Sequence, residues 1–289
     1  MFNTDHCSPA KNTSKHSCLT LKLLRRVARS LNKYNGSTIK LNNTKKKLHD
    51  DISKEINKIS NCQHEKCWIT INIIKSELNP EEIKLFKESF IPNMPKEWNN
   101  KPNTWLSTKD INSVMSQYEN AYPRFKYMGA IPIDFNNYIG NKCVSEELCN
   151  IDIQKLQKEK KDSIGIVFNT DPHNKSGEHW FSIYIDIKGR NRKGVPCIYY
   201  FDSLADPPEK EIMELVEKIT KQCRSFNKDI DFLYNDKVHQ NGNTECGVYC
   251  LHFLIHMLKG YSFKKYITNK RDDVEMEKFR EIFYIPSNE

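Results

Sequence analysis

The sequence predicts an α+β protein, with a helical first third followed by a core that mixes strands and helices. Three observations carry this. Apolar residues recur at helical spacing through residues 18–34 and again through 45–60. The stretch "IPNMPKEWNNKPNT" (91–104) holds three prolines and marks a boundary. Beyond it, "HWFSIYIDI" (179–187) alternates in character at the period of a strand. We therefore expect an N-terminal, basic, mainly helical domain over 1–93 and a core domain over 94–289.

The elements follow in chain order. Residues 1–17 are polar and show no periodicity, so a loose lead is expected. Leu21, Leu24, Val27, Ala28 and Leu31 form the apolar stripe of a first helix. Leu48, Ile52, Ile56 and Ile59 repeat that stripe in a second. Pro80 and Glu81 open a third helix over 80–90, since both suit a first turn. Ser107 or Thr108 caps a helix over 107–119. "IGIVF" (164–168) is short and apolar throughout, as a buried strand is. In 179–187, Phe181, Ile183, Ile185 and Ile187 face one way, and Trp180, Ser182, Tyr184 and Asp186 the other. "GRNRKG" (189–194) turns the chain, and "CIYYFDS" (197–203) returns as the paired strand. An amphipathic helix follows over 207–224, and a short strand over 230–235. Residues 246–258 place Cys246, Cys250, Phe253, Leu254, Met257 and Leu258 on one helical face. Asp272 and Asp273 open a last helix over 272–283.

Net charge is +8, and it is unevenly placed. Residues 1–60 hold 13 Lys and Arg against 4 Asp and Glu, whereas the other 229 hold 32 against 33. Such a basic segment attracts nucleic acid, an anionic surface or an acidic protein, or simply solvates a helical surface. No run approaches the roughly 20 apolar residues of a membrane span. The ten cysteines are not densely spaced, so free thiols in a reducing compartment are expected. Cys62, His64 and Cys67 lie close together but lack a second Cys/His pair, so no metal site is expected. Patterns for nucleotide cofactors and for zinc hydrolysis are absent, and no cofactor is expected.

Chemistry concentrates in "HQNGNTECGVYCLHF" (239–253). Gly242 and the asparagines break the helix, so Cys246 falls at the helix start, where the macrodipole favours a thiolate. Gly247 lets the backbone come close to a substrate. A cysteine on an apolar helical stripe is, however, most often core. A nucleophile also needs a base and something to orient it. His179, at the start of the alternating strand, is the candidate base, or an ordinary strand-edge residue. Asp202 is the candidate orienter, or the cap of the helix after it. Pairing of the two strands as a hairpin brings residues 179 and 202 to the same end. Gln240, six residues before Cys246, would offer a side-chain amide to an oxyanion beside the Cys246 N–H.

Together, "GEHWFSIYID", "IYYFDS" and "HQNGNTECGVYCLHF" resemble the His-Trp, Asp and Gln-x5-Cys-Gly motifs of the Ulp1-type cysteine proteases. That family includes SUMO-specific proteases, the adenovirus protease and polyprotein proteases of large DNA viruses. The match covers roughly residues 100–260. Its order, His then Asp then Cys, is the reverse of that in papain-like enzymes. "VFNTD", "NCQHEKCWIT" (61–70) and "MEKFREIFYI" (276–285) resemble the viral polyprotein-processing branch most. Where that branch's nearest likeness has Asn, this chain has Asp202, as the cellular enzymes do.

The resemblance implies a central mixed sheet flanked by helices, with an N-terminal helical arm. It implies a thiol endopeptidase with Cys246 as nucleophile, His179 as base, Asp202 as orienter and Gln240 in the oxyanion hole. Trp180, and Trp105 in "TWLSTKDI", would wall a channel that admits only small residues before the scissile bond. The implied partner is a protein substrate, a viral structural polyprotein cut at Gly-Gly-X sites in the host cytoplasm and virion. Alternatives are a deSUMOylating or deubiquitinating protease, an acyltransferase with the same residue order, and a binding module. The basic arm allows a nucleic-acid contact.

Overall fold

A computed structural model describes residues 6–10, 16–62 and 64–286. The chain divides into two compact units, Met1–Asn99 with Glu281–Glu289, and Asn100–Arg280.

The first unit is helical. Its helices are α1 (Leu21–Tyr34), α2 (Lys45–Ile59), α3 (Asn72–Lys75) and α4 (Pro80–Lys87). Thr20 caps α1 by accepting from the Leu23 N–H, and Thr44 caps α2 by accepting from Lys47. Asn79 and Glu82 form a reciprocal capping box at α4, with Pro80 in its first turn. The stripes read from the sequence, Leu24, Val27 and Leu31 against Leu48, Ile52 and Ile56, meet in one core around Trp68 and Phe86.

Part of the expected loose lead is ordered. Cys7 and Ser8 are buried, Cys7 bridges to Phe90, and the Ser8 N–H donates to Ser89 O at 2.9 Å. Residues 1–5 and 11–15 of that lead lie outside the described residues. The boundary drawn at 93/94 assigned everything to residue 289 to the core domain. In the structure the Ile285 N–H donates to Pro92 O, Met94 donates to Ile285 O, and Tyr284 packs edge-on to Trp98. These contacts seat the terminal segment in the first unit.

Free thiols throughout were also expected, and that reading is corrected. Cys7–Cys18, Cys62–Cys67 and Cys143–Cys149 are joined as disulfides, with Cα separations of 5.1, 5.8 and 6.6 Å. Those separations suit a bridge. Two of the three candidate ligands at 62–67 are thus bound to each other.

The second unit is built on a five-stranded sheet. Its strands are β1 (Phe125–Pro132), β4 (Ser163–Asn169), β5 (Trp180–Asp186), β6 (Cys197–Phe201) and β7 (Asp231–Tyr234), in the order β1-β4-β5-β6-β7. The outer pairs are parallel and the inner pairs antiparallel, so the sheet is mixed. A two-stranded ribbon, β2 (Tyr138–Ile139) with β3 (Lys142–Cys143), stands apart from it. The helices are α5 (Thr108–Ala121), α6 (Glu146–Cys149), α7 (Ile153–Lys158), α8 (Lys210–Ser225), α9 (Cys246–Leu258), α10 (Phe263–Thr268) and α11 (Asp273–Phe283).

The alternation in 179–187 does mark a strand, and every residue of β5 is buried. Phe181, Ile183 and Ile185 join Ile212, Leu215 and Ile219 of α8 in one core. The opposite face packs on α9. There Gly165 of β4 leaves room for Phe125, since a Cβ would come within 2.7 Å of that ring. The alternation therefore separates two cores rather than core from solvent.

Candidate active site

Helix α9 carries Cys246 as its first residue. Every residue from Cys246 to Met257 is buried, so this helix runs through the core instead of floating on it with one apolar face. Glu245 stands at the N-cap position but makes no side-chain cap. Its carboxylate instead accepts from the Thr244 hydroxyl and lies 4.0 Å from Arg280 Nη2. No capping side chain takes the first-turn N–H groups, which leaves them as donors for a ligand.

The β5–β6 hairpin positions His179 and Asp202. Ser182 pairs with Phe201, so His179 and Asp202 emerge at one end of the sheet. His179 Nε2 lies 2.9 and 3.0 Å from the two carboxylate oxygens of Asp202. With Nε2 so engaged, Nδ1 is the ring nitrogen left for another partner, and Cys246 is near enough to act on the imidazole. Burial alone would lower the imidazole pKa. The hydrogen bonds to Asp202 and its negative charge, with a further contribution from Cys246, outweigh it and raise the value from 6.5 to about 10.

Asp202 is itself held on several sides. Its Oδ1 accepts from the Leu204 N–H at 2.7 Å. Asn235, fully buried just after β7, accepts from the Asp202 N–H at 2.9 Å and donates to the Asp202 carbonyl at 2.7 Å. Nothing in the sequence pattern singled out Asn235. Its work is done on another residue's backbone, which leaves no periodicity; its place at a strand end beside an aspartate was the sole cue.

Gln240 is buried in the loop before α9. Its Nε2 donates to Gly242 O at 3.0 Å, and its Oε1 accepts from the Ser203 hydroxyl at 2.8 Å. The loop is tied down from α11, where Asp273 Oδ2 accepts from the N–H groups of Asn241 and Gly242 at 3.0 and 2.7 Å. The polar run "HQNGNTE" is thus a built loop.

Trp105 and Trp180 line one cavity of about 530 Å³, together with Ala130, Asn169, Asp171 and His173. Trp180 is buried and its Nε1 donates to Leu106 O at 2.9 Å, while Trp105 is 41% exposed. Gly247 takes a different part from the one expected. A Cβ there would meet Leu106 Cβ at 2.9 Å, so its bareness admits Leu106, not a substrate. Leu106 is thereby held between Gly247 and Trp180. Cys250 lies one turn behind Cys246. Burial pushes its thiol well above the ordinary range, with the neighbouring Cys246 adding to this and Ser182 opposing it. Among the described residues, no group of three His, Cys, Asp or Glu is placed to hold a metal.

A thiol at a helix start, with an imidazole near it and a buried carboxylate behind the imidazole, can form a thiolate and keep a proton ready for a leaving group. Fold and site together define a thiol hydrolase. The sequence model of the Ulp1 protease family, C-terminal catalytic domain, matches residues 145–289. The chain belongs to that family and is a cysteine protease.

A protein of Acanthamoeba polyphaga mimivirus that is named as a thiol protease is 29% identical over 96% of this chain and 92% of its own length. The SUMO-1 cysteine protease of African swine fever virus is 26% identical over 81% of this chain and 88% of that protein. The crystal structure of the African swine fever virus protease superposes with a TM-score of 0.74 at 20% identity, covering 99% of this chain and 98% of that one. The family resemblance read from the motifs, and the mixed sheet flanked by helices that it implied, both hold. No helix among the described residues is long and apolar enough to cross a membrane.

Proposed function

We propose that this protease is a viral endopeptidase that cleaves structural polyproteins after small residues, at Gly-Gly-X sites, during particle maturation in the host cytoplasm and virion. The observation that carries the reading is His179, bonded to both carboxylate oxygens of Asp202 and close enough to Cys246 for that thiol to act on the same imidazole. Cys246 Sγ attacks the scissile carbonyl. The oxyanion is met by the Cys246 N–H and by Gln240. The tetrahedral intermediate collapses to a thioester as His179 gives its proton to the departing amine. Water, deprotonated by His179, then releases the acid and frees the thiolate. Trp105 and Trp180 flank the channel, where a β-carbon on the residue before the cut would clash.

Cys246→Ala is expected to abolish cleavage of a Gly-Gly-X peptide by the purified chain. Undiminished turnover in that variant would reject the assignment. The name of the African swine fever virus relative, a SUMO-1 cysteine protease, supports the SUMO half of a second reading, a protease acting on SUMO or, by the same chemistry, ubiquitin conjugates. Faster turnover of a folded SUMO or ubiquitin fusion than of the matching short peptide would favour it.

The first unit is an accessory arm in this reading. Its Arg26, Lys33 and Lys47 are spent on Glu82, Glu77 and Asp51. Lys22, Arg29, Lys40 and Lys46 are exposed and offer the nucleic-acid contact. Reversal of these four charges to Glu is expected to abolish salt-sensitive DNA binding, and binding that survives it would detach that contact from the arm.

A further inference from the structure

Ser203 follows Asp202 directly and is 1% exposed. It touches Gln240 twice. Its carbonyl accepts from the Gln240 N–H at 2.9 Å, and from His239 at 2.8 Å. Its hydroxyl donates to Gln240 Oε1 at 2.8 Å. The donors of the carboxamide can be counted. Nε2 carries two N–H groups, and one goes to Gly242 O. With Oε1 held by Ser203, the amide plane is fixed and one N–H remains uncommitted. Rotation of the amide by half a turn would set Oε1 against Gly242 O, two acceptors facing each other. Rotation by less would leave Oε1 buried without a donor, a costly arrangement.

We infer that Ser203 is the positioning residue of the oxyanion hole, acting through Gln240 and not on the substrate. The inference rests on the oxyanion reading of Gln240 given above. One dipeptide then serves both halves of the site. Asp202 sets the ring of His179, and Ser203 sets the plane of Gln240, while Asn235 grips the Asp202 backbone. An oxyanion donor stabilises the transition state only when it is aimed before the reaction begins. A freely turning amide would spend part of its time aimed elsewhere, and kcat would fall while substrate affinity stayed.

The test is a double-mutant cycle on the full chain, with a fluorogenic Gly-Gly-X peptide as substrate. Gln240→Ala is expected to lower kcat by about 100-fold, the usual effect of removing one oxyanion donor. Ser203→Ala is expected to lower kcat by roughly tenfold, from the worth of one buried hydrogen bond, with KM within about twofold. The double variant is expected to be no slower than Gln240→Ala alone, because Ser203 has nothing left to aim. A simply structural role would cost the double variant a further tenfold, and that result overturns the proposal. Wild-type kcat in Ser203→Ala beside a slow Gln240→Ala also removes it while leaving the oxyanion reading intact. Wild-type kcat in Gln240→Ala removes the oxyanion reading, and the proposal with it. Should Ser203→Ala not fold, Ser203→Cys, near in size and a weak donor, carries the same comparison with the same signs.

Discussion

Gly247→Ala separates two physical arguments that give opposite signs. Helix propensity alone favours alanine over glycine by up to about 1 kcal/mol in a helix interior, so it predicts a gain. Packing predicts a loss. The new methyl would sit 2.9 Å from Leu106 Cβ, 3.1 Å from Cδ1 and 3.2 Å from Cγ. Side-chain rotation relieves the contacts with Cγ and Cδ1, but the Cβ moves only with its backbone. That backbone carries the carbonyl on which Trp180 Nε1 is bonded. Overpacking of this kind costs about 1–3 kcal/mol, so with the propensity gain subtracted the net expectation is a loss of up to about 2 kcal/mol. Urea unfolding measures it as a lower midpoint at unchanged slope. Because Leu106 lines the same cavity as Trp105 and Trp180, the same variant should also lose kcat/KM on a Gly-Gly-X peptide by about tenfold or more, the scale of a small misplacement near the reacting groups. A variant as stable as the parent, with unchanged kcat/KM, would refute the packing argument and restore the view that Gly247 is bare for the substrate.

Two further expectations follow from the site. Asn235→Ala leaves the Asp202 N–H without its buried partner, while the Asp202 carbonyl keeps the Ala205 N–H at 3.1 Å, and should cost about 1–3 kcal/mol in denaturant unfolding; a loss below about 0.5 would show that the clamp is dispensable. The imidazole of His179, raised to about 10, should stay charged well past neutrality, so kcat/KM should fall as pH rises through about 10. The sign for stability is the same. A pKa raised above its unfolded value of 6.5 gives stability that is full below that value and is lost as pH rises through the folded pKa. Asp202→Asn removes the charge behind the ring and should move the alkaline limb down by roughly one to three units; an unmoved limb would detach Asp202 from the titration.

The sequence disclosed what is periodic or strung along the chain. The helical stripes of α1 and α2, the alternation of β5 and the break before Cys246 were all visible, and the hairpin brought residues 179 and 202 together in advance. The edge strand β1 escaped notice. Gly129, at φ +109°, and a register shift between Tyr127 and Ala130 interrupt its alternation, and Pro132 ends it. Helices such as α6 and α10 are too short for a 3.6-residue period to emerge. Asn235, Ser203 and Leu106 act through backbone atoms or through one amide, and a sequence records side chains better than it records what they hold. Gly247 was noticed for the right reason, the missing Cβ, but the space it frees was given to the wrong occupant.

Arg280 joins two stretches that are remote in sequence. Its Nη1 donates to Thr104 O at 2.9 Å and its Nη2 to Thr244 O at 3.0 Å. One carbonyl belongs to the residue before Trp105, the other to the residue two before Cys246. A planar guanidinium holds both at a fixed spacing, as a lysine could not. For anyone redesigning what this protease accepts, taste and tempo are therefore mechanically linked. A loop graft at 104–106 that reshapes the cavity beside Trp105 would also tug on the segment that carries Cys246, and selections for new substrates should return compensating changes around residue 280 more often than its distance in sequence would suggest.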